Sequence, residues 1–222
     1  MNIETIPLIR SPRRKTIAIQ VGRDGRVTVR APERMSETAI RAFVAKQEAW
    51  VQKRVKEMLK RRRPNRTFCD GECFLLRGAE VKLEIVERGA RSLVLGETFQ
   101  LVARDRFRAR ELFERRYKEA AREHLSLRVP QYARRMGVKH GAVRLSNARH
   151  TWGSCAPDNR LSFTWRLIMA PDEVIDYIIV HELAHVVHKN HGKRFWAKVA
   201  RFCPDYKKRR AWLGVQGHLL EI

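Results

Sequence analysis

Eleven consecutive residues, His181-Glu182-Leu183-Ala184-His185-Val186-Val187-His188-Lys189-Asn190-His191, constrain this chain more than any other stretch, because they gather four histidines and a glutamate. On a helix, residues i and i+4 share a face, so His181 and His185 can each aim an imidazole nitrogen at one metal ion. Glu182 is rotated by roughly 100° about the axis, which sets it beside such an ion without binding it. With 8 histidines among 222 residues, a shuffled chain of this composition would hold about 0.02 H-E-x-x-H matches. The arrangement is that of a zinc hydrolase.

A catalytic zinc takes three protein ligands and keeps one position open for water. His181 and His185 supply two, and His191 is the expected third. A helix stopping near Lys189 lets the next residues swing back across the metal, with Asn190 tolerating a left-handed stop and Gly192 freeing the chain beyond. His188 is the rival, but on a continued helix it lies about 10 Å along the axis from His181, too far for both to reach one ion. Asp205 is a further alternative, as the only acid between His191 and Glu221. On this reading Glu182 takes a proton from water and passes it to a leaving amine, which makes amide hydrolysis the best-matched reaction. The oxyanion partner stays open among His188, Tyr206, His218 and Arg160.

Pro171-Asp172-Glu173 reads as a helix start, with acids at the positive end of the dipole, and Val174, Ile175, Ile178 and Ile179 bury the leading part. The histidine pair is therefore expected on a helix already fixed by a core. Upstream, 143–166 favours short strands that could border a cleft and offer an edge to an extended substrate. Trp152 and Trp165 are expected in the core, and nothing local activates Ser154 or Cys155 as a nucleophile.

The rest of the chain alternates between sheet and helix. Thr16 to Arg30 reads as a β-hairpin turning at Asp24-Gly25. Ser36 is a good N-cap for one long helix to about Arg62, with Ile40, Phe43, Val44, Trp50, Val51, Val55 and Leu59 on its apolar face and Pro64 as its stop. Glu72–Leu76, Glu80–Val86 and Ser92–Val102 are expected to continue the first hairpin as a small antiparallel sheet. Helix returns from about Arg106 to Arg128 on Phe107, Leu112, Phe113, Tyr117, Ala120, Ala121 and Leu125, with His124 at the core boundary. Pro130 should kink or break it, and a last segment should end at Gly137.

The first fifteen residues contain four cations and no apolar run, and no stretch is apolar enough to span a bilayer, so a soluble, cytoplasmic protein is expected. Four cysteines are too few for a disulfide scaffold, and Cys69 and Cys73, around the Asp70-Gly71 turn, match no zinc pattern. A net charge of +23 and a pI of 10.9 fit either a generally basic surface or attraction to nucleic acid, ribosomes or acidic headgroups. The rival class is therefore a basic nucleic-acid-binding protein with a structural or vestigial zinc site.

Trp152-Gly153-Ser154-Cys155, Leu161 to Pro171, Val174-Ile175-Asp176-Tyr177 running into His181-Glu182-Leu183-Ala184-His185, and Asn190 to Trp196 resemble the YgjP-like metallopeptidases, relatives of the SprT-like and Wss-type zinc proteases. The detailed match covers about residues 143 to 213, including Pro204-Asp205-Tyr206-Lys207, and departs at Thr151, where a basic residue is expected. The resemblance implies a zincin-like fold, which with the N-terminal antiparallel sheet and long helices read from the residue pattern makes the expected fold α+β. It implies His181, His185 and His191 as ligands of one catalytic Zn2+ and Glu182 as acid/base, with a protein or peptide substrate. Some relatives act on proteins attached to DNA, which would give the basic surface a purpose. On this view residues 1–105 form a β-rich region with one long helix, and 106–222 the catalytic region.

Overall fold

The computed structural model describes residues 6–22, 25–60 and 65–222. Two compact units divide the chain, 1–63 and 64–222. In the first, β1 (Leu8–Ser11) runs parallel to β3 (Val27–Pro32), and β2 (Ala18–Val21) runs antiparallel to it with Ile19 opposite Val29. The expected hairpin is present, but β1 makes the N-terminal sheet mixed rather than antiparallel. Its turn holds Gly25 at φ +81°, a conformation glycine adopts without a Cβ clash; Asp24 lies outside the described residues.

The single helix expected from Ser36 is two. Ser36 caps α1 (Glu37–Lys46) by accepting a bond from the Ala39 N–H at 3.3 Å, and α2 (Glu48–Lys60) follows after Gln47. The Gln47 N–H reaches the carbonyls of Phe43 and Val44, tightening the last turn. Glu48 then puts an acid at the start of α2. Ile40, Val44 and Val51 are buried, whereas Trp50 is 49% exposed. Pro64, the expected stop, lies outside the described residues.

The strands expected to extend that hairpin instead form their own sheet in the second unit, from β4 (Cys73–Leu76), β5 (Ala79–Val86), β6 (Leu93–Leu95) and β7 (Phe99–Val102), in the order β4-β5-β7-β6. Its β5–β7 pair is parallel. The reason is packing: Phe74, Leu83, Phe99 and Leu101 are buried with Phe113 and Tyr117 of α3 (Ala109–Met136) in one core. Phe113 lies 4.4 Å from Phe74 and 4.7 Å from Phe99 between ring centroids, and each such ring contributes about 1.5–3 kcal/mol by burial.

α3 runs unbroken through Pro130 to a left-handed Gly137, so the break expected there is absent. A proline inside a helix costs about 3 kcal/mol, but Val129, Tyr132, Ala133 and Met136 are buried on either side of it and hold the helix in place. Phe107 is 86% exposed, because it sits in the 3-10 stretch Ala103–Arg108, before the helical period begins.

A third sheet of β8 (Val143–Ser146), β9 (Gly153–Cys155) and β10 (Leu161–Thr164) has the order β8-β10-β9, with β9 at an edge. Trp165 is fully buried, as expected, and stacks on Tyr117. α4 (Asp172–Val187) follows, with Pro171 at its N-cap, then α5 (Lys193–Phe202) and α6 (Tyr206–Gln216).

Two charged clamps fix the leading half of α4. Arg77 grips Asp172 through both guanidinium arms, and the backbone N–H groups of Arg77 and Gly78 donate to Ile168 and Met169 at 2.8 and 3.1 Å. Gly78 has φ +82°, and a Cβ there would come within 2.9 Å of Pro171, so the β4–β5 turn meets the head of α4 only as glycine. Farther along, Arg128 of α3 grips Asp176, which also accepts a 2.9 Å bond from the Tyr132 hydroxyl. Among the described residues no helix is long and apolar enough to cross a membrane.

Candidate metal centre

α4 carries His181, Glu182 and His185, and its apolar face explains their placement: Val174, Ile175, Ile178, Ile179 and Leu183 are all buried. The helix ends at Val187, and His188 leaves it extended at φ −123°, ψ 99°. The expected left-handed stop at Asn190 does not occur, and Gly192 is likewise extended, at φ −77°, ψ −177°. An extended exit does the same work, since it returns His191 to the helix face.

The Nε2 of His191 lies 3.1 Å from that of His181 and 3.2 Å from that of His185. Three nitrogens bound to one tetrahedral ion at 2.0–2.1 Å would stand about 3.3 Å apart, so the spacing fits a shared metal. His181, His185 and His191 are also the one group of potential ligands found together among the described residues. His185 Nδ1 lies 3.0 Å from the His188 carbonyl; donating there leaves its Nε2 lone pair free for the metal. His188 thus meets the cluster through its backbone oxygen, and its side chain is not one of the three that converge. Asp205 lies within 3.6 Å of Arg209 and 3.9 Å of Lys208 and stands apart from the cluster.

Electrostatics favour the neutral form of His181 and His185. Burial, reinforced by the neighbouring histidines, lowers the pKa of His181 to about 3, and burial also lowers that of His185. His181 Nδ1 is buried without a hydrogen-bond partner. Phe195 of α5 forms the floor, its ring 4.5–4.9 Å from all three imidazoles.

Glu182 is buried, and desolvation raises its pKa to about 8. Its neighbour is Gly153 on β9: a Cβ at that position would stand 2.6 Å from Glu182 Cγ and 2.7 Å from its Oε1. The carboxylate thus lies directly on the backbone of an edge strand. Lys189 ties the next turn to the end of α4, donating to Asn159 Oδ1 at 2.7 Å and to the Ala156 carbonyl at 3.4 Å.

Of the residues considered for the oxyanion, Arg160 is paired with Asp158 at 2.6 Å and His218 Nδ1 lies 2.9 Å from the Val215 carbonyl. Tyr206 is stacked at 5.1 Å on Trp196, whose ring lies 5.7 Å from that of His191. Sequence reasoning missed Gly153, Phe195 and Lys189 as parts of the site. Phe195 carried a signal, since Phe195 and Val199 are buried four residues apart on α5; Gly153 carried none, because its role is the absence of a side chain. Cys69 and Cys73 are free, exposed thiols.

The family model for the YgjP-like metallopeptidase domain matches residues 15–216. No curated protein and no solved structure matches the chain.

Proposed function

The chain belongs to the YgjP-like metallopeptidase family, and from that premise we propose that it is a zinc-dependent peptidase with His181, His185 and His191 as metal ligands and Glu182 as the catalytic acid/base. The observation that carries this reading is the convergence of three imidazole Nε2 atoms beside a buried glutamate. Zinc fits because the donors are three imidazoles, a set used in open catalytic sites, whereas a structural site takes a fourth protein ligand. Bound there, the ion would supply Lewis acidity to a substrate carbonyl and to water.

Glu182 accepts a proton at a carboxylate oxygen from the attacking water and returns it to the leaving amine. A pKa raised toward the working pH suits a group that both takes and gives a proton. The free edge of β9, immediately beside Glu182, suits an extended peptide pairing its backbone there. Four free thiols support a reducing, cytoplasmic setting. The charge of +23 keeps one competing reading alive, a nucleic-acid binder with a vestigial site, and nucleic-acid-associated proteins among the substrates.

One experiment separates these readings. Zinc content and cleavage of an unfolded protein are measured for the wild type, Glu182→Gln, His191→Ala and His188→Ala, with and without DNA. The wild type should hold one zinc and cleave. Glu182→Gln should hold zinc and lose turnover by at least about a hundredfold. His191→Ala should lose zinc, and His188→Ala should keep it, since only the His188 backbone is used. A wild type that binds DNA without stoichiometric zinc would sink the peptidase reading.

A further inference from the structure

Beside the triad lies an open recess of about 500 Å³ lined by Trp196, Tyr206, Lys207, Arg210 and Ala211. We propose that this recess is a subsite for a carboxylate of the substrate, seated by Arg210 and Lys207 within two residues of the cleaved bond; the assignment rests on the peptidase reading above.

Three observations place it. The first is distance: the Trp196 ring is 5.7 Å from His191 and 5.8 Å from His181. An extended chain advances about 3.3 Å per residue, so a peptide crossing the histidines reaches the recess within one or two residues. The second is charge. Among the described residues Arg210 and Lys207 make no ion pair, while their neighbours Lys208 and Arg209 are within ion-pair distance of Asp205. The third is preorganisation. The Arg210 guanidinium lies over the Trp196 ring at 5.4 Å, and Trp196 stacks on Tyr206. A cation resting on an aromatic wall keeps its N–H fork free for a planar carboxylate.

A nucleic-acid phosphate is the other anion to weigh. The stacked Tyr206 occupies an indole face that a nucleobase would need. The recess also adjoins the position where a peptide backbone must pass.

The test uses full-length, zinc-loaded protein and peptides carrying Glu or Gln at each of three positions on either side of one cleavable bond. Binding is read by anisotropy on Glu182→Gln, and cleavage on the wild type. Glu should be preferred over Gln by about tenfold at one position. That ratio, taken within each variant, should fall to within about twofold in Arg210→Ala, persist at reduced size in Arg210→Lys, which keeps the charge without the planar fork, and turn in favour of Gln in Arg210→Glu. Short peptides ending in a free acid or an amide distinguish a terminal carboxylate from a side-chain one, and discrimination by either supports the subsite. Equal binding of acid and amide forms at every position overturns it. So does single-stranded oligonucleotide binding that needs Arg210 while peptides show no acid preference. Acid preference without cleavage by the wild type leaves the subsite standing and removes the peptidase reading. Cleavage without preference removes the subsite alone.

Discussion

Burial beside Gly153 keeps the metal-free Glu182 carboxyl protonated where an exposed glutamate is ionised, with a pKa near 8 against an ordinary 4.5. A raised folded-state pKa means this group's stabilisation is complete below pH 4.5 and is lost as pH climbs through 8. His181 has the opposite sign: its pKa falls from 6.5 to about 3, so its contribution is complete above pH 6.5 and is lost as pH falls toward 3. In the metal-free protein the two slopes oppose each other between pH 4.5 and 6.5, and above that Glu182 alone drives a decline. Glu182→Gln should abolish that decline, gaining on the order of 1.4 kcal/mol per pH unit on the wild type between about pH 5 and 8. Urea unfolding of both chelated proteins across this range checks it, and parallel curves would refute it. At this scale the three histidines that converge were legible, because helical rise alone disfavours His188 as a partner of His181. The environment of Glu182 was not, because burial is set by a strand some thirty residues upstream in the chain.

β9 and α4 meet through a missing side chain. Gly153→Ala would put a methyl 2.6–2.9 Å from the Cγ, Cδ and Oε1 of Glu182, and the carboxylate would have to swing away. We expect zinc content to stay at wild-type level and kcat to fall about a hundredfold, the loss typical of an ångström-scale misplacement. Metal analysis alongside steady-state kinetics tests this; unchanged kcat would show that β9 does not position Glu182. The elements themselves were unevenly visible. α4 was legible from its acidic start and apolar face, as were the strands at 143–166 from their β-formers. The break at Gln47 was hidden because no proline or glycine marks it, and the passage through Pro130 because tertiary packing overrides a local rule. The parallel β5–β7 pair was equally hidden, since period-two patterning reports which residues face inward and says nothing of strand direction.

Val29, Ala31, Ile40 and Val44 form one core and the residues from Phe68 to Ile222 another. Composition gave no hint of this division, because cations outnumber acids along the whole chain and no glycine- or serine-rich run marks a boundary. All three histidines of the candidate metal centre belong to the second core's unit. Calorimetry on the whole chain should therefore show two heat-absorption peaks, and zinc at a hundredfold excess over its dissociation constant should stabilise only one of them, by about 2.7 kcal/mol. The fragment 65–222 should reproduce that peak alone. One peak moving as a whole with zinc would show that the two cores unfold together. With separate peaks, a melting temperature read from total helix content averages two events, and only chelation reveals which of them belongs to the unit that carries the three histidines.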